Sequence, residues 1–243
     1  MRVCVSVGVL VSFFSLVAGP AGAASLEVAP VTVEVKAPGA AATIRLRNNG
    51  TAALSAQIRV YRWTQVNGEE KLEPTTDVVA SPPMATLSAK TDYVVRLVRL
   101  TKNPLSAPEA YRLVVDELPD PSARKDHVVT LALRYSIPVF FYPSSVSNPK
   151  LEWTLEQRRG RLFVTVKNAG DRHVRLAALK LNDGRGKNLS FGNGLTGYVL
   201  GHSTMHWSAP NDAGKLAAGS TIAISAQGDQ GQISASSPLQ IAR

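Results

Sequence analysis

Apolar and polar residues alternate with a period of two along almost all of this 243-residue chain, and no long stretch keeps the 3.6-residue period of an amphipathic helix. Alternation places apolar side chains on one face of a strand and polar ones on the other, so the pattern restricts the chain to an all-β architecture. The longest such stretch is "VVTLALRYSIPVFFYP", Val128–Pro143, which reads as about fourteen strand residues against the usual ~5–6. Val129, Leu131, Leu133 and Tyr135 fall on one of its faces, and Thr130, Ala132, Arg134 and Ser136 on the other. An apolar strand of this length belongs in the middle of a sheet. At an edge it is a template for another chain.

The strands upstream are "SLEVAPVTVEV", "AATIRLRNNG", "LSAQIRVYRW", "TDYVVRLVRL" and "EAYRLVVDELP". Pro30 marks the first as an edge strand, because proline has no N–H for a ladder. Asn48-Asn49-Gly50 and Asn67-Gly68 are turn signals, and Ser81–Pro82 is the candidate cis bond. About seven strands in ~120 residues point to an immunoglobulin-like sandwich over residues 24–143. The Pro- and Ser-rich residues 144–149 read as a linker. Residues 150–243 return to alternation, in "KLEWTLEQ", "RLFVTVKNAG", "HVRLAALKLND", the single strand "GYVLGHSTMHWSA", "STIAISAQGD" and "SPLQIAR", and so form a second β-sandwich. No sequence repeat relates the halves.

The N-terminus sets the compartment. Arg2, an apolar run to Ala18, the breakers Gly19 and Pro20, and Ala21-Gly22-Ala23 make a secretory signal with cleavage after Ala23. The run is short for a membrane span, and no later segment is apolar enough to cross a bilayer. The only cysteine, Cys4, leaves with the signal, so no disulfide supports the mature fold. Loss of Arg2 leaves 26 basic against 18 acidic residues, a net charge of +8. That suits acidic partners. The charges are scattered without a basic run, and the chain is exported, which argues against nucleic acid.

Catalytic patterns are missing: there is no G-x-S-x-G, no H-E-x-x-H and no phosphate-cradling glycine loop. His202 and His206 share a face of a strand but lie ~13 Å apart, too far for a metal pair. Asp116 and Glu117 are adjacent on a strand and face opposite ways, a poor acid–base pair. Neither cofactor nor enzymatic activity is expected. Two β-sandwiches with long strands favour binding by strand addition.

The ordered set "TIRLRNNGTAALSAQIRVYRWTQVNGEEKLEPTTDVVASPP", "YVVRLVRL", "YRLVVDELP" and "LALRYSIPVFFYP" covers most of residues 25–143. It resembles the periplasmic pilus-assembly chaperones of the PapD-like superfamily. "RLFVTVKNAGDRHVRLAALKL" and "YVLGHSTMHW" extend the likeness more weakly. "VYRW", "ASPP" and "RYSIPVF" are most similar to the archaic branch, which includes the spore-coat-U-type systems. The resemblance implies two Ig-like domains set at an angle around a cleft, a periplasmic location, and pilin subunits and an outer-membrane usher as partners, without membrane insertion. It also implies that Val129, Leu131, Leu133 and Tyr135 form a strand donated to a subunit. By composition alone these side chains fill their own sandwich instead.

The resemblance raises one discrepancy. In the better-known branch, an Arg on the first strand and a Lys near the end of the donor strand anchor the subunit's C-terminal carboxylate. Pro30 and Pro138 occupy those positions here. Strands joined by "PDPSARKD" pair antiparallel, which sets Arg112 beside Ile137 and Pro138. Arg112 is therefore the first candidate anchor, followed by Arg134 and Arg96. The alternative function is a pilus subunit or secreted Ig-like adhesin. A subunit is usually one domain with an alternating N-terminal extension, whereas here "SLEVAP" runs straight into the first strand.

Overall fold

The computed structural model describes residues 25–119, 132–158, 161–209, 216 and 219–241. The proposed signal, Val129 and Leu131 lie outside them. Among the described residues every regular element is a β-strand, and no helix is long and apolar enough to cross a membrane.

The first alternating segment divides at Pro30 into Leu26–Ala29 (β1) and Val33–Lys36 (β2). The two pieces join different sheets. Ala41–Asn48 (β3), Leu54–Val66 (β4), Glu69–Pro74 (β5), Val78–Ser81 (β6), Met84–Leu87 (β7), Asp92–Arg99 (β8), Glu109–Leu118 (β9) and Arg134–Tyr142 (β10) follow. One sheet runs β1-β3-β8-β6. The other runs β2-β10-β9-β4-β5, with β7 also on β4. Ile44, Leu46, Val95 and Leu97 from the first face Ile58, Leu113, Val115, Ile137 and Phe141 from the second. The sequence leads one to expect about seven strands. The additional ones are short or fully exposed: β5 is exposed along its whole length, so no apolar alternation marks it. Asn67 and Gly68 turn β4 into β5 with φ of 54° and 81°, the geometry of a tight hairpin turn. The Ser81–Pro82 peptide is cis, as expected, and so are Ala29–Pro30 and Ala37–Pro38.

The second sandwich contains Leu151–Arg158 (β11), Arg161–Asn168 (β12), Val174–Asn182 (β13), Asn188–Ser190 (β14), Leu195–Val199 (β15), Thr204–Ser208 (β16), Thr221–Gly228 (β17) and Gly231–Ile241 (β18). Its strand β18 pairs antiparallel with β17 along most of its length and parallel with β11 at Leu239–Ile241. It therefore ties the two layers together. The expected single strand "GYVLGHSTMHWSA" is in fact β15 and β16 separated by a turn. His202 occupies that turn at a φ of 56°, and His206 lies on β16, so the two do not share a strand face.

A relationship between the sandwiches that the sequence comparison missed is a pair of buried asparagines. Asn48 ends β3, and Asn168 ends β12. Each side-chain oxygen accepts from the glycine N–H two residues on, Gly50 at 2.8 Å and Gly170 at 3.0 Å. Each amide nitrogen donates to the carbonyl four residues on, Ala52 at 2.8 Å and Arg172 at 2.7 Å. A buried amide must be fully bonded, so the N-x-G triplet specifies the same turn twice.

Ser147, ahead of β11, is pinned to the second sandwich. Asp171 Oδ2 accepts from Ser147 N at 2.6 Å and Ser147 Oγ at 2.7 Å. A Cβ on Gly170 would sit 2.0 Å from the Asn148 carbonyl, so only glycine permits that approach.

Candidate functional site

The site lies on the outer face of the β2-β10-β9-β4-β5 sheet, where it meets the second sandwich. Pro138, Arg112 and Tyr61 stand opposite one another across β10, β9 and β4. Directly opposed residues project from the same face, so Arg112 leaves the sheet beside Pro138. Arg112 is only 8% exposed. Its guanidinium lies 3.6 Å from the Trp63 ring centroid and 5.1 Å from that of Tyr198. The nearest carboxylate oxygen, Oε1 of Glu70, is 3.6 Å away. That distance makes an ion pair but exceeds hydrogen-bond length. Burial lowers the Arg112 pKa, and Glu70 only partly offsets it.

An aromatic cluster forms the floor between the domains. Trp63, Phe140 and Tyr142 from the first sandwich pack on Tyr198 and Leu200 from the second. Trp63 meets Tyr198 edge-on, with ring centroids 5.4 Å apart at 86°. His173 lies flat on Phe140 at 3.7 Å, and its Nδ1 is 2.6 Å from the Tyr142 hydroxyl. Gln65 acts as a missing strand neighbour: its amide nitrogen donates to the Tyr198 carbonyl, and its amide oxygen accepts from Leu200 N, both at 2.9 Å. The Gly68 carbonyl accepts from His206 N at 3.1 Å. A Cβ on Gly68 would collide with the His206 ring at 1.6 Å, so the hairpin tip needs glycine for space as well as for φ.

Strand β10 answers the question raised by its length. Val139–Phe141 lie between β2 and β9, and so are central. Arg134–Pro138 pair with β9 alone among the described residues, which makes that half an edge. Ile137, Val139 and Phe141 fill the core, and Tyr135 packs partly against it. Tyr135 also donates its hydroxyl to the Leu26 carbonyl of β1. Leu133, on the same face, is half-buried just ahead of the strand. Of the remaining candidates, Arg134 pairs with Asp116, and Arg96 lies exposed on β8 in the other sheet, opposite Thr43 and Ser81. The structure does not bring Arg96 to Arg112.

Trp63, Gln65, Glu70, His173 and Tyr198 escape a reading of strand periodicity. Four of them are ordinary strand residues until the domains meet, and His173 sits just ahead of β13. One signal was available: a tryptophan on the polar-facing side of a strand, in "VYRW", asks for a cover. Among the described residues no cluster of three metal-ligating side chains exists. His202 bonds instead to Asp171 at 2.7 Å, and His206 to Thr165 at 2.8 Å.

The profile of the family described as pili and flagellar-assembly chaperone, PapD N-terminal domain, matches residues 25–147. No curated protein is similar enough in sequence to count as a match. Solved structures are similar over nearly the whole chain. One is the CsuC–CsuE chaperone–tip adhesion subunit pre-assembly complex from archaic chaperone–usher Csu pili of Acinetobacter baumannii. It has 25% identity and a TM-score of 0.67, covering 90% of this chain and 100% of that one. The YadV chaperone has 20% identity and a TM-score of 0.65, over 89% and 100%. The SafA pilin in complex with the SafB chaperone from Salmonella enterica has 19% identity and a TM-score of 0.57, over 88% and 94%.

Proposed function

Since the chain belongs to the PapD-like pilus-assembly chaperone family, in its archaic branch, we propose that it binds pilus subunits by donor-strand complementation and delivers them to an outer-membrane usher. Residues Met1–Ala23 serve as the cleaved signal for export to the periplasm, and no enzymatic step is involved. The complexes of a related chaperone with a tip subunit and of another with a pilin support the choice of partner.

The observation that carries the proposal is the divided strand β10. Its lower half is anchored between two strands, while among the described residues its upper half pairs on one side only. Leu133 continues the face that fills the core at Ile137 and Phe141, and the period of two assigns Leu131 and Val129 to that face too. There they complete the core of a subunit rather than their own. Arg112 takes the anchoring role vacated by Pro30 and Pro138. It projects beside Pro138 and can grip a carboxylate bidentately.

The test replaces Leu131 or Leu133 with Glu and compares capture of the cognate subunit with thermal melting of the free chaperone. A donated side chain gives lost capture with a nearly unchanged melt. A side chain needed for the protein's own core gives a loss of several kcal/mol, because an unpaired carboxylate is then buried. That outcome would overturn the proposal.

A further inference from the structure

A guanidinium offers five N–H donors, and burying them without acceptors is costly. Arg112 is 8% exposed, and no hydrogen bond joins its side chain to another described residue, yet its guanidinium is not one of the fully buried groups left without a partner, so it stands at the domain junction with donors open to an incoming acceptor. Its ring contacts with Trp63 and Tyr198 hold the charge but use none of the donors. Glu70, the acid beside it among the described residues, stays at 3.6 Å with its side chain 37% exposed. Glu70 stands on β5 opposite Gln65, the residue that clamps the second sandwich. A carboxylate whose task is to orient an arginine does so by short hydrogen bonds, and this one makes none with it.

Burial pushes the Glu70 carboxyl up, and Arg112 pulls it back only in part, so the acid is less comfortable here than in water. We propose that Glu70 is a built-in occupant of the anchor: it stands at Arg112 in the free chaperone and is displaced when a subunit's terminal carboxylate arrives. The proposal rests on Arg112 being the anchor. An incoming carboxylate held by a docked strand has its position determined by backbone pairing, so it can reach bidentate geometry that Glu70 does not. Displacement makes the exchange nearly isoelectric: one carboxylate leaves Arg112 for solvent as another takes its place. A neutral terminus has no charge to offer Arg112, so it leaves Glu70 in place and gains nothing from the exchange.

The experiment measures binding of a soluble synthetic strand peptide, Lys-Lys-Thr-Val-Thr-Val-Thr-Phe, with a free C-terminal carboxylate, and of its amidated twin. Wild type, Glu70→Gln and Arg112→Gln are compared, after melting curves confirm folding. Wild type should prefer the free acid, and Arg112→Gln should lose that preference. Glu70→Gln should tighten the free acid by about two- to fivefold, the range of a partly exposed ion pair, and leave the amide unchanged. Weaker or unchanged free-acid binding in Glu70→Gln, with the Arg112 effect intact, overturns the displacement and keeps the anchor. No free-acid preference in wild type, or its survival in Arg112→Gln, overturns the anchor and the displacement with it.

Discussion

Arg134 of β10 stands directly opposite Asp116 of β9, and its guanidinium bonds to that carboxylate. Arg59 reaches the same carboxylate from β4 at 2.5 Å. One nearly buried acid on the middle strand thus holds both neighbours where β10 loses the cover of β2. The adjacent Glu117 N–H donates to the Leu133 carbonyl at 2.9 Å, which continues the pairing one residue past the strand. These bonds set the register in which Leu133 emerges on the core face.

Asp116→Asn should therefore destabilise the domain by about 1–3 kcal/mol at pH 7, measured by urea unfolding. Burial opposes ionisation of Asp116, but the bonds from Arg134 and Arg59 outweigh it and hold the carboxyl below its usual range. A lowered folded pKa contributes stability that is complete above the unfolded value of ~3.9 and is lost as pH falls through the folded value. The gap between wild type and Asp116→Asn should close as the solution is acidified below that range. A gap that persists in strong acid would refute the charge-based account.

His173 should make the domain interface acid-sensitive. It is faced by Glu34 from β2, Asp229 from the β17–β18 turn, Arg172 beside it, and the rings of Tyr142 and Tyr198. Burial lowers its pKa even though Glu34 and Asp229 favour the proton. The unfolded chain then takes up a proton near pH ~6.5 that the folded chain resists, so stability is complete above that pH and declines below it. The melting temperature of the wild type should fall between pH 7.5 and 5.5, and that of His173→Gln should fall less. Parallel pH profiles would show that His173 contributes nothing to the acid response.

Gln65→Ala should loosen the domains without unfolding either. It deletes two hydrogen bonds to the backbone of Tyr198 and Leu200 and leaves those groups unpaired at a partly buried edge. The expected cost is about 1–2 kcal/mol. Hydrogen exchange should accelerate at the Leu200 amide and leave the core strand β13 unchanged. Equal protection of Leu200 in both proteins would mean that the aromatic cluster alone fixes the interface.

Most of the β-architecture was legible in the sequence because alternation is a local property. Ile44 and Leu46 point inward and Arg45 outward whatever the rest of the chain does. The antiparallel pairing of Arg112's strand with β10 was legible for the same reason: a short connection leaves two strands no other economical arrangement, and Pro138 does stand opposite Arg112. Exposed β5 was not legible, since its charges serve solvent and follow no period. The turn at His202 was hidden as well, because "GHSTMH" carries no proline or N-G pair to break the alternation around it.

The chain's own order of residues determined an all-β protein, the faces of its strands, the N-x-G turns after β3 and β12, and the placement of Arg112 beside Pro138. These follow from backbone stereochemistry and from side chains within a few residues or one ladder of each other. Only the tertiary structure decided that Gln65 would bond to Tyr198, 133 residues away, and that Arg112 would be roofed by Trp63 and Tyr198 with Glu70 at its edge. Those contacts depend on how two sandwiches with separate cores dock. Docking is settled by the shape and burial of whole surfaces, which no local period encodes.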